Sequence, residues 1–127
     1  MFSFLKKTYV SVALSSTFNA DLKELQTAPF AVQQSVGHRI GNDLGVLSAV
    51  PETSEGATTL KRYGEHYKSL RHAANSAGAT SGRDPDYAYA AIMEAIVVSS
   101  LTGDLQLNQK ICGDVAAWLE SIGLTRR

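Results

Sequence analysis

The sequence is short of several things that would narrow its chemistry. Its 127 residues hold one cysteine, Cys112. No disulfide can form within the chain, and a cysteine-based zinc site lacks its ligands. A lone thiol fits a reducing compartment, so a cytoplasmic location is expected. There are three prolines, each placed where a helix would begin rather than inside one. No apolar run approaches the roughly 20 residues of a membrane span. Residues 1–20 carry two lysines and an apolar stretch, Tyr9 to Leu14, interrupted by Ser11. That stretch is too short and polar for a secretion signal, so the segment is expected in the mature protein.

Charge of one sign is also missing. Twelve basic residues balance twelve acidic ones, which argues against a globally steered nucleic-acid binder, and no nucleic-acid partner is expected. The local distribution is less even. From Lys61 to Arg83 there are five basic residues and one acid, Glu65, whereas from Asp84 to Leu124 six acids face one base, Lys110. Either the two stretches pack against each other, or the first offers a basic patch to an anionic partner.

Familiar catalytic signatures are absent. There is no phosphate-binding glycine loop, dinucleotide fingerprint, zinc-protease helix or calcium loop, and no serine nucleophile elbow. His66 and His72 are six apart, about 120° around a helix, and cannot share a metal. No Glu-x-x-His pair of the di-iron kind occurs. No metal and no cofactor is expected.

What is present is helical periodicity. The chain is one domain's length, with 44% hydrophobic and 19% charged residues, enough to bury a core unaided. Residues 1–127 therefore read as a single all-α domain, a compact bundle of about five helices. Met1 to Ser16 fits either a helix (Phe2, Leu5, Tyr9, Val12) or a strand (Tyr9 to Leu14), with helix preferred. Asn19 or Asp21 would then open a short helix to Gln26. Residues 1–18 are expected to pack on the bundle or on a second subunit.

From about Pro29 to Ala49, Val36, Ile40, Leu44 and Leu47 form an apolar stripe. Beside it run Gly37, Gly41 and Gly45. Each glycine inside a helix costs about 1 kcal/mol relative to alanine, so a four-residue ridge of them predicts close approach by a neighbouring helix. After the linker Pro51–Gly56, capped by Thr53 or Ser54, a helix to about Ser76 carries Leu60, Tyr63, Tyr67, Leu70 and Ala74 on one face. The glycine-rich stretch 77–83 is a loop, and Asp84-Pro85 is a helix start. Residues 85–102 are apolar nearly all round, with Glu94 the single charge between Tyr87 and Thr102. Such a helix belongs at the centre of the bundle. Gly103 closes it and Asp104 caps a last helix striped by Leu107, Ile111, Val115, Trp118 and Ile122, ended by Gly123-Leu124.

These features support two main functional readings. The first is a non-catalytic interaction or assembly module, homo-oligomeric or bound to another protein, with Gly37, Gly41 and Gly45 as the packing surface. The second is a binder of a small or anionic ligand, or an enzyme acting on one, with Glu94, Tyr63, Tyr67, Lys68, His72 and Arg83 as the candidate site. A carboxylate on an apolar helix must either shift its pKa or find a partner such as Arg39 or Arg71. Peripheral membrane contact through Phe2, Phe4, Leu5, Lys6 and Lys7 is a third, less favoured reading. Cys112 reads as a small buried hydrophobe.

Overall fold

The structure, a computed structural model, describes the backbone of residues 2–124 and side chains from residue 12. Five helices follow one another: α1 (Phe2–Gln26), α2 (Phe30–Ser48), α3 (Ser54–Ser76), α4 (Pro85–Leu101) and α5 (Leu105–Ser121). No strand occurs among the described residues. The side chains of Phe2, Phe4, Leu5, Lys6 and Lys7, the membrane-contact candidates, lie outside the described residues.

The boundaries follow from local chemistry. Thr53 caps α3 by accepting from the Gly56 amide at 3.0 Å. Asp84 accepts from the amides of Asp86 and Tyr87 at the start of α4, with Pro85 in the first turn. Asp104 does the same for Leu107 at the start of α5. These caps satisfy amides that a helix start leaves without carbonyl partners. Gly123 adopts φ +82, and the Leu124 amide reaches back to the Leu119 carbonyl at 2.8 Å. That backbone pattern is a Schellman stop, which a residue with a β-carbon adopts only under strain.

α4 packs against each of the other four helices. Ten of its residues are buried, among them Ile92, Met93, Ile96 and Val97. Its all-round apolar surface dictates this, because no orientation on a surface would cover it. α5 presents Leu107, Ile111, Val115, Trp118 and Ile122 to the same core, and α1 contributes Phe18, Leu22 and Leu25.

Two expectations need correction. The first segment is helical, as preferred, but no second helix opens at Asn19 or Asp21: one helix runs through Ser15, Ser16 and Asn19 to Gln26. These residues cost only tenths of a kcal/mol each in a helix, and no glycine or proline breaks the run before Pro29. The glycine ridge is also only partly occupied. A β-carbon at Gly37 would lie 2.7 Å from Leu124 and 3.0 Å from Ile122, whereas one at Gly41 would meet nothing within 4 Å. α2 turns Val36 and Ile40 into the core, so the ridge falls at its edge, where only the end of α5 reaches it.

Candidate functional site

Two clusters of polar side chains are built into the interfaces around α3 and α4. In the first, Asp43 on α2 accepts from the Tyr67 hydroxyl on α3 at 2.8 Å and from the Tyr89 hydroxyl on α4. The two rings meet edge to face, with centroids 5.8 Å apart. Tyr63 stacks beside Tyr67 at 6.3 Å. The Arg39 guanidinium lies 3.9 Å from the Tyr89 ring centre and pairs with Asp86 at 2.9 Å. Burial, followed by the bonds to Asp43, pushes Tyr89 up to about 12 and Tyr67 higher still. Both phenols therefore stay protonated as donors.

In the second cluster, Arg71 on α3 grips Glu94 on α4, with Nε to Oε1 at 2.8 Å and a longer contact from Nη2 to Oε2 at 3.4 Å. Their side chains are only 27% and 16% exposed, so each charge depends on the other for its solvation. Asp21 on α1 feels both partners, and burial holds its carboxyl up at about 6. The backbone of Gly82 lies against the Asp21 carbonyl, and Ser81 donates to Glu24 at 3.3 Å. The loop between α3 and α4 thus rests on α1 beside the cluster.

The residues singled out from sequence do not form one site. Glu94 joins Arg71, while Tyr63 and Tyr67 belong to the other cluster. Lys68 and His72 lie exposed on the outer side of α3, and Arg83 is exposed in the following loop. Periodicity and charge pattern did not single out Asp21 or Asp43. Asp21 carried a signal, since it recurs with Leu14, Phe18 and Leu25 at helical spacing on one stripe. Asp43 carried none, because an acid four residues after Arg39 reads equally well as a solvated helix pair.

Chemically, these clusters are self-satisfied. Among the described residues, no buried side-chain nitrogen or oxygen lacks a partner, and no group of three acids, histidines or cysteines is placed to hold a metal. Glu94 directs its oxygens to Arg71 and Asp43 directs one to both phenols, so these carboxylates are engaged within the fold. The Cys112 thiol is pushed up by burial, which lowers its reactivity.

A different kind of surface lies between α2 and α5. A groove of about 560 Å³ runs there, floored by Gly37 and Gly41, walled by Leu44, Ala116, Leu119 and Leu124, and edged by His38, Asn42 and Glu120. α2 has two charged residues, Arg39 and Asp43, and both are engaged in the Tyr89 cluster. The outer side of α2 is left without charge: Phe30, Ala31, Ser35, His38, Asn42, Val46 and Ser48 are its exposed positions. Phe30 is 58% exposed and Val46 51%. Phe30 stands seven residues before Gly37, on the same side of the helix as Gly37 and Gly41. A large apolar knob and the open Gly41 thus share one face. No helix of the described residues is long and apolar enough to cross a membrane. Comparison with protein families, with curated proteins and with solved structures finds no match.

Proposed function

We propose that the protein is a non-catalytic helical assembly module that pairs with a second copy of itself through α2. The observation that carries this reading is the uncharged outer face of α2, where exposed Phe30 and open Gly41 stand on the same side. Two such helices laid antiparallel, related by a twofold axis near Gly37 and His38, set Phe30 of each copy over Gly45 of the other. A twofold contact requires this kind of self-complementarity. Glycines let the backbones approach, and the aromatic ring fills the space they leave. Depletion of charge is the compositional mark of an interface centre. The half-buried lone thiol fits a cytoplasmic setting for the assembly.

A ligand site around Glu94 and the tyrosines receives less support. Their polar atoms are engaged with Arg71 and Asp43, and opening that site means breaking buried pairs.

Native mass spectrometry and light scattering test the proposal. The wild type is expected at twice the chain mass, and Phe30→Ala and Gly41→Leu are expected to shift it to monomer while far-UV circular dichroism stays unchanged. In a Cys112→Ser background, Gln34→Cys and Gly41→Cys together are expected to give an intermolecular disulfide. A monomeric wild type at 100 µM-scale concentration, on the order of ordinary assembly affinities, overturns the reading.

A further inference from the structure

At one end of the bundle α2 and α4 stop and α3 and α5 begin, and the four leave a cleft of about 550 Å³ between them. That volume lies within the range of small-molecule sites. Ile96 and Val97 are its buried lining, and Leu44, Leu47 and Leu60 stand half-buried around them. Leu101 also lines it and is 40% exposed, so apolar surface continues to the rim. The cleft is separate from the groove that floors the proposed pairing through α2, although Leu44 borders both.

The polar groups of this lining decide what it can hold. Its donors are already committed. The Asn108 amide nitrogen donates to the Ile96 carbonyl at 3.2 Å and to the Ser99 hydroxyl at 2.9 Å, and the Ser48 hydroxyl donates to the Gly45 carbonyl at 2.8 Å. Acceptors remain. The Asn108 side-chain oxygen has a single long contact, from the Cys112 thiol at 4.0 Å, which leaves accepting capacity on it. The Ser100 hydroxyl turns either way. Glu52 is exposed at the mouth and takes part in no ion pair among the described residues. Among the described residues, no lysine, arginine or histidine lines the cleft. An apolar interior with one carboxylate at its mouth and spare acceptors inside complements an apolar molecule that carries positive charge and donates.

We propose that this cleft is a binding site for a small apolar amine, its alkyl or aryl body against Leu44, Leu60, Ile96 and Leu101 and its ammonium group held by Glu52. A fatty acid of the same length would bring its carboxylate to Glu52 and find no base to answer it, so the site discriminates by the sign of the head group. Burial of the tail supplies affinity, and the ammonium–carboxylate pair supplies selectivity. The site does not depend on how the protein assembles.

Titration of the full chain at neutral pH with n-octylammonium and n-octanoate, each below its micelle concentration, tests this by methyl NMR. Octylammonium is expected to shift the methyl signals of Leu44, Leu60 and Leu101 and to bind roughly tenfold more tightly than octanoate, the scale of one charge-assisted hydrogen bond. Glu52→Gln, a change at an exposed position outside the core, is expected to remove that preference while weak binding of the tail persists. Cys112, the single cysteine of the chain, lines the cleft and reports occupancy directly. Octylammonium at about ten times its dissociation constant is expected to slow modification of the thiol by uncharged methyl methanethiosulfonate roughly tenfold, by mass action. Four results would each overturn the proposal: no binding of octylammonium at millimolar concentration, equal or tighter binding of octanoate, a preference for the ammonium that survives in Glu52→Gln, or binding that neither protects Cys112 nor moves those leucine methyls.

Discussion

The Asp43 carboxylate and the Tyr67 hydroxyl meet at 2.8 Å between α2 and α3, and Tyr89 reaches the same oxygen from α4. Three helices are thereby tied at one atom. Asp43→Ala leaves two inward phenols without an acceptor, and it is expected to cost about 3 kcal/mol. Tyr67→Phe removes a donor but no other partner and is expected to cost about 1 kcal/mol. Chemical denaturation of each variant, combined in a double-mutant cycle, measures the coupling between the groups.

The same bonds set an alkaline limit. Tyr89 is held at about 12 and Tyr67 above it, against an ordinary tyrosine near 10. The folded state thus keeps protons that the unfolded chain releases. Its advantage is complete below about pH 10 and is lost as pH rises through the folded values. An absorbance titration of the five tyrosines is expected to show two that ionise only with unfolding. Ionisation of all five in one ordinary step would contradict the geometry.

Arg71 and Glu94 should behave as a pair rather than as two independent contributors. Arg71→Ala alone leaves Glu94 charged and only 16% exposed, with an expected cost of about 3 kcal/mol, because an uncompensated charge is what burial penalises. Arg71→Met combined with Glu94→Leu is expected to recover most of that loss. Urea midpoints of the single and double variants decide the matter.

Asp21 has the opposite sign from a stabilising ion pair. Its folded value, about 6, lies above the usual 3.8, so folding favours the protonated form. That contribution is present below about pH 4 and lost as pH rises through 6. Asp21→Asn is therefore expected to raise stability at pH 7 by roughly 1 kcal/mol, after discounting for solvent screening. The gain over wild type is expected to shrink towards zero at pH 4. Thermal melts at the two pH values check the difference.

Gly37 and Gly41 separate packing from propensity. A methyl group at Gly37 would crowd Leu124, Ile122 and Leu119, so Gly37→Ala is expected to destabilise by about 1–2 kcal/mol despite its better helix propensity. Gly41→Ala meets open space and is expected to stabilise the isolated fold by up to about 1 kcal/mol. Melting of both variants at concentrations that hold the chain monomeric isolates these effects from assembly.

Which stretches are helical, and which helix lies at the centre, is written in local residue order. Asp84-Pro85 and Gly103-Asp104 bracket α4 with caps and stops that act within a few residues, and a helix apolar in every direction has nowhere to go but inside. The stripe of α5 from Leu107 to Ile122 was legible for the same reason: side-chain periodicity is a local property of the backbone. That Glu94 needs either a shifted pKa or a partner followed from electrostatics, and Arg39 and Arg71 stood as equal candidates for the partner.

The choice between those arginines depends on how α3 is rotated against α4, a relation that exists only in the folded chain. Folding also gathers Tyr67 and Tyr89 around Asp43, from 24 and 46 positions away. It brings Asp21 within the electrostatic reach of Arg71 and Glu94, and it leaves Gly41 uncovered while closing Gly37 under the end of α5. Each of these is a relation between helices set by their relative rotation and offset. That geometry comes from the best simultaneous burial of five apolar faces, and no single stretch of the chain encodes it.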